Sequence, residues 1–187
     1  MQAIDKFVDY VLNLSKKKYA ELVLYFVSFI ESIFFPIPPD VLLAPVSTSN
    51  KVLWKKYAFY TTLFSVLGGM VGYLLGYYFY EEIISWDIFN SEKIDKAKIF
   101  FNQNDIAMIF LAGFTPLPYK IFTLTAGFFE INLLIFILTS FVSRGLRFFI
   151  VSFIFSRYGI LIARNFKKYF EIFGLILIII FLLYVYL

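Results

Sequence analysis

Two proline-broken segments, Phe35-Pro36-Ile37-Pro38-Pro39-Asp40 and Thr115-Pro116-Leu117-Pro118-Tyr119-Lys120, interrupt long apolar stretches of the chain. Proline lacks a backbone donor and its ring clashes with the preceding turn, so a helix entering either segment has to stop there. In hydrocarbon the freed backbone groups are tolerated only where protein or a water-filled cavity shields them. Two such breaks, each ending in an ionisable residue, predict a transport site near membrane mid-depth built from discontinuous helices.

The rest of the composition sets the solvent. Of 187 residues, 61% are hydrophobic and 22% aromatic, and the mean hydropathy is +0.81. Soluble domains hold roughly 45–50% apolar residues. Residues 57–80 carry no charge, and residues 172–187 are apolar apart from tyrosine. A span needs roughly 20 such residues, a length the second stretch reaches by including 168–171. The expectation is an all-α integral membrane protein with one domain over residues 1–187.

Neither cysteine nor histidine occurs, which excludes thiolate nucleophiles, the usual zinc sites and Ser-His catalysis. With no nucleophile–base pair or metal-ligand cluster legible, neither enzymatic activity nor a cofactor or metal is expected. The net charge is +4, but the lysines gather at the ends of apolar segments. Orientation and anionic headgroups explain them better than nucleic acid does. The mixed-charge residues 1–20 do not read as a cleaved signal peptide.

Working outward from the breaks, residues 1–18 read as an interfacial helix ending in Lys16-Lys17-Lys18. Residues 19–35 and 41–49, the latter interrupted by Pro45, form a re-entrant hairpin that turns at Pro36 and Pro38. Residues 57–80 then cross the membrane, with Gly68, Gly72 and Gly76 as a stripe that admits a close neighbour. After the polar stretch 81–105, whose later part reads as a second surface helix, residues 106–114 re-enter. They break at Pro116 and Pro118 and return through 121–129. Asn132 caps a long helix reaching about Ser156, and a terminal span occupies 168–187.

The halves correspond at an offset of eighty positions: Pro36 to Pro116, Pro38 to Pro118, Asp40 to Lys120, Gly72 to Ser152 and Gly76 to Ser156. They delimit a first repeat at about 1–80 and a second at about 91–158. Lys16–Lys18, Lys51–Lys56 and Arg157–Lys168 are basic, so the positive-inside rule places them in the cytoplasm. Glu81, Glu82 and Asp87 make the intervening region acidic, so it faces outward. The hairpins then enter from opposite sides. The expected architecture is two inverted repeats, each an interfacial helix, a re-entrant broken-helix hairpin and a long transmembrane helix, followed by a terminal transmembrane helix. The N-terminus is cytoplasmic and the C-terminus external.

Five ionisable residues stand in apolar surroundings. Glu31 precedes the first break and Asp40 follows it, where it can also cap the returning helix. Charges at membrane depth cost about 2.5–3.5 kcal/mol on insertion scales, so they face a cavity or a partner. Arg144 and Arg147 share a helix, and Arg144 lies about 18 Å along it from Asn132, too deep for easy snorkelling. A guanidinium offers a planar fork suited to phosphate. Lys120 adds a third cation. The grouping predicts a pocket of two signs, with Arg144, Arg147 and Lys120 binding an anionic headgroup and Glu31 and Asp40 coupling ion movement.

The segments Gly113-Phe114-Thr115-Pro116-Leu117-Pro118-Tyr119-Lys120, Ala126-Gly127, Asn132, Ser143-Arg144-Gly145-Leu146-Arg147-Phe148-Phe149 and Arg157-Tyr158-Gly159 resemble the DedA family. Its membrane domain is also called the VTT or SNARE-associated domain, and the YqaA-like branch is the most similar. The resemblance implies a bacterial inner-membrane protein that returns undecaprenyl phosphate across the membrane. It also implies that Glu31 and Asp40 carry the family's acidic pair, and Arg144 and Arg147 its arginine pair. Lys120 stands where many members have arginine. The expected function is a flippase-type transporter of a polyprenyl phosphate, with coupling to protons or Na+ as an option. The alternatives are an uncoupled phospholipid scramblase, a small-ion or solute transporter, and a structural membrane protein. Membrane lipids are the expected partners, nucleic acid is not, and a homo-oligomer is compatible with the pattern.

Overall fold

The computed structural model describes residues 10, 13, 15–79, 98–101, 103–115 and 117–164. The expected helix at 1–18 and the second surface helix fall largely outside these residues. Pro116 and the terminal span at 168–187 fall wholly outside them. Within the described residues the regular structure is helical: α1 (Lys18–Glu31), α2 (Asp40–Ser49), α3 (Trp54–Tyr78), α4 (Asp105–Phe114), α5 (Tyr119–Phe128) and α6 (Leu133–Arg164).

The first break behaves as proline chemistry requires. The Ile30 carbonyl accepts the N–H groups of Ile33, Phe34 and Phe35, which closes α1 before Pro36. The Pro38 and Pro39 carbonyls then accept from Val41, Leu42 and Leu43 and start α2. Pro45 was expected to interrupt this returning arm, yet α2 runs through it to Ser49. Proline deletes one helical donor, and side-chain bonds to α6 hold the arm instead. Ser47 Oγ lies 2.7 Å from Ser152 Oγ, and Thr48 Oγ1 donates to the Phe155 carbonyl at 3.1 Å.

Two helices, Trp54–Tyr78 and Leu133–Ile162, are long and apolar enough to cross a membrane. Asn132 does cap α6, its Oδ1 accepting from the Leu134 and Ile135 N–H groups at 2.9 and 3.2 Å. The helix passes the expected end at Ser156 and continues to Arg164. Within this extension Thr48 packs so closely on Gly159 that a Cβ there would overlap its hydroxyl.

The hairpins straddle the two long helices with their arms exchanged. α1 and α5 pack on α3, α2 and α4 pack on α6, and α3 packs on α6. The glycines sit at these crossings. A Cβ at Gly68 would overlap the Phe29 carbonyl of α1, one at Gly76 the Leu124 carbonyl of α5, and one at Gly72 the Thr123 hydroxyl. Each hairpin has its own apolar core: Leu24, Leu43, Val46 and Ala58 at the first, and Ile109, Ala112, Ala126 and Phe136 at the second. Large apolar side chains such as Leu22, Phe26, Leu134 and Leu138 face outward. An apolar surface of this extent suits hydrocarbon rather than water.

Candidate functional site between the hairpins

Between the two apolar cores runs a seam of polar side chains, and α6 contributes both arginines to it. Three residues advance a helix by about 300° and 4.5 Å, so Arg144 and Arg147 meet different arms of the first hairpin. Arg144 Nη2 donates to Glu31 Oε2 of α1 at 2.7 Å, and its Nε donates to Ser65 Oγ of α3 at 2.7 Å. Ser65 Oγ in turn lies 2.9 Å from Ser32 Oγ. The guanidinium carbon stands 4.5 Å from the Tyr119 ring centroid and 4.7 Å from that of Phe148. This aromatic packing adds cation–π attraction to the ion pair. Arg144 is 2% exposed. A charge so enclosed needs its counter-charge, since breaking a buried pair typically costs about 3–5 kcal/mol.

Arg147 is held more openly. Its Nη2 lies 2.5 Å from Asp40 Oδ2, its Nε donates to Oδ1 at 3.4 Å, and its Nη1 donates to the Thr115 carbonyl at the end of α4. One guanidinium therefore ties the first turn of α2 to the broken end of the second hairpin. Lys120 makes the reciprocal tie. From the first turn of α5, its Nζ donates to the Phe34 and Phe35 carbonyls at 3.1 and 3.3 Å. Both cations sit where helix ends expose carbonyl oxygen, as the helix dipole favours. Thr123 Oγ1 adds a bond to the Ser32 carbonyl at 3.2 Å.

A cavity of about 130 Å³ opens beside these groups. Glu31, Arg144, Arg147 and Lys120 line it, with Pro36, Pro38 and Pro118 forming part of its wall. The cavity thus joins residues from both breaks. Gly68, Gly72 and Gly76 stand apart from it, at the helix crossings.

The sequence reading assigns the carboxylates and the arginines separate tasks. The structure joins them pairwise, Glu31 with Arg144 and Asp40 with Arg147. Lys120 contributes its ammonium to backbone carbonyls as well as to the cavity wall. Ser32, Ser65, Thr115 and Tyr119 also belong to the site, although the sequence alone does not mark them as site residues. Ser65 carried a weak signal as a hydroxyl inside an uncharged span, and Tyr119 by its place beside Pro118. Neither reveals its partner without the fold.

A family profile described as the VTT domain matches residues 37–157. This chain belongs to the VTT-domain family. The matched region holds Asp40, Lys120, Arg144 and Arg147, and this agrees with the DedA resemblance carried by the second break. Glu31 lies just before it. The VTT-domain protein is 41% identical over 178 residues to an uncharacterized protein of Haemophilus influenzae, covering 93% of this chain and 92% of that one. A Histophilus somni protein is 38% identical over 184 residues, covering 96% and 95%. One from Methanocaldococcus jannaschii is 28% identical over 144 residues, covering 77% and 88%. No solved structure matches the chain. Family, helical fold and apolar exterior together identify a membrane protein.

Proposed function

We propose that this VTT-domain protein carries a lipid phosphate, a polyprenyl phosphate such as undecaprenyl phosphate, between the leaflets of a bacterial cytoplasmic membrane. The observation that carries the reading is the pair of arginine–carboxylate bridges beside a cavity built from both proline breaks. A guanidinium binds phosphate and carboxylate through the same two-pronged geometry. Asp40 therefore occupies on Arg147 the place a phosphate monoester would take. The incoming headgroup exchanges with the carboxylate rather than entering an empty cation site.

That exchange supplies the coupling. A carboxylate that loses its cation in a low-dielectric setting takes up a proton, so loading the anion and loading a proton go together. Release reverses both. Glu31 and Asp40 serve as the ion-coupling groups, and Arg144 and Arg147 as the headgroup site. Lys120 holds the hairpin tips together around that site. The exchanged packing of the hairpin arms on α3 and α6 supports two inverted repeats, which lets the seam open alternately to either face. The protein binds and moves its lipid without altering it chemically, with its N-terminus in the cytoplasm.

Reconstitution tests the reading. Vesicles containing the protein should exchange polyprenyl phosphate between leaflets faster than ordinary phospholipid, and a pH gradient should bias the exchange. An Arg144→Ala/Arg147→Ala variant that reaches the membrane and still translocates lipid phosphate normally would refute it. Equal exchange of all phospholipids with no gradient effect would point instead to uncoupled scrambling.

A further inference from the structure

Asp40 and Arg147 also border a second space. It is an open groove of about 510 Å³, whose remaining walls are Val41, Ala44, Phe114, Ile150, Val151 and Phe155. Every one of those six side chains is apolar. Val41 is 60% exposed and Ile150 45% exposed, so the groove opens sideways toward the surrounding hydrocarbon. From Arg147 to Phe155 it follows α6 for eight residues, about 12 Å. The Ser47–Ser152 and Thr48–Phe155 bonds clamp α2 to α6 along this stretch. They keep the two helices from separating.

Water does not settle in an apolar groove that hydrocarbon can fill. A chain lying there has its inner end beside the Arg147 guanidinium, and beyond that lies the polar cavity of about 130 Å³. The two spaces share Arg147, one polar and the other apolar. Their sequence reproduces the layout of an anionic amphiphile, headgroup first and chain after. We infer that the groove between α2, α4 and α6 seats one hydrocarbon chain of the lipid whose phosphate lies at Arg147. The inference rests on the proposed headgroup site. It adds that the lipid enters laterally beside Val41 and Ile150, and that its first 12 Å or so of chain is recognised by the protein.

The chain contains no cysteine, so single cysteines can be introduced and labelled uniquely. Val41→Cys and Ile150→Cys place a label on opposite walls of the groove. Leu146→Cys is an outward-facing control, 47% exposed and outside the groove lining. Each variant, purified whole in detergent, is coupled to a photoreactive maleimide and illuminated with radiolabelled farnesyl phosphate or farnesol. Crosslinking of the phosphate should be about tenfold stronger at positions 41 and 150 than at 146, in keeping with burial of several methylenes, and stronger than with farnesol, which has the same chain but lacks the anion that Arg147 binds. Adding Arg147→Gln should bring it to the control level. Equal labelling at all three positions, or equal labelling by phosphate and alcohol, would overturn the groove assignment. Separate equilibrium binding of farnesyl phosphate to the unlabelled protein distinguishes the two readings. Binding retained without groove crosslinking removes the tail site alone, whereas no binding above farnesol removes the headgroup site and the tail site together.

Discussion

Arg144 Nη2 lies 2.7 Å from Glu31 Oε2, although the residues are 113 positions apart. The pair joins α6 to the end of α1, just before the first proline break. Both side chains are largely enclosed, at 2% and 11% exposure. Arg147 and Asp40 form a similar bridge one turn along, with side chains 15% and 21% exposed. The two bridges therefore differ in what they can exchange, the outer one being the more open to a visiting anion.

Arg144→Gln alone strands the Glu31 carboxylate in a buried setting and should cost about 3–5 kcal/mol. Glu31→Gln strands the guanidinium at a similar cost. The Glu31→Gln/Arg144→Gln variant should recover a large part of the loss, because no unpaired charge remains. Thermal melting in detergent measures the coupling through a double-mutant cycle. Additive losses would show that the pair contributes no mutual stabilisation.

At the outer bridge, Arg147→Lys keeps the charge but loses the fork that reaches Asp40 and the Thr115 carbonyl together. Lipid-phosphate translocation should fall by about tenfold or more, in line with loss of one charge-assisted bond of about 1.5–3 kcal/mol. Melting should fall less than with Arg144→Lys. Flux in proteoliposomes and melting temperature, measured on the same preparations, separate the two effects.

Gly68→Ala and Gly76→Ala would drive a methyl group into the backbone carbonyls of Phe29 and Leu124. Backbone cannot swing aside as a flexible side chain can, so each substitution should destabilise by about 1–3 kcal/mol. Gly145→Ala is the internal control, since its Cβ would meet only Thr62 Cγ2 at an ordinary 3.7 Å. Denaturation of the three variants against the parent protein provides the comparison.

Orientation is open to labelling from either side. Lys55 lies in the first turn of α3 on the side assigned to the cytoplasm, and Asn104 immediately precedes α4 on the opposite side; both are exposed. An impermeant thiol reagent added to intact cells should therefore label Asn104→Cys and spare Lys55→Cys. Labelling of both from outside would place the hairpins on one face and defeat the inverted topology.

Local chemistry made much of the fold legible. A proline break and an Asn132 cap depend on neighbours within about one helical turn, and an uncharged span or a glycine stripe on composition and spacing along a single helix. Those rules identify the break at Pro36, the crossing by α3 and the start of α6 from residue order alone. They fail at Pro45, which α2 runs through, and at Ser156, past which α6 continues; α2 and α6 are bonded together along this stretch.

Residue order also determined which charges had to find shelter, because Glu31, Asp40, Arg144 and Arg147 are costly in hydrocarbon wherever they point. Only the tertiary structure decided the partners. Helical rotation turns Arg144 toward Glu31 and Arg147 toward Asp40, while the exchanged hairpin arms bring Lys120 to the Phe34 and Phe35 carbonyls. Each choice depends on where α1, α2 and α5 rest against the long helices, a packing relation between segments distant in the chain.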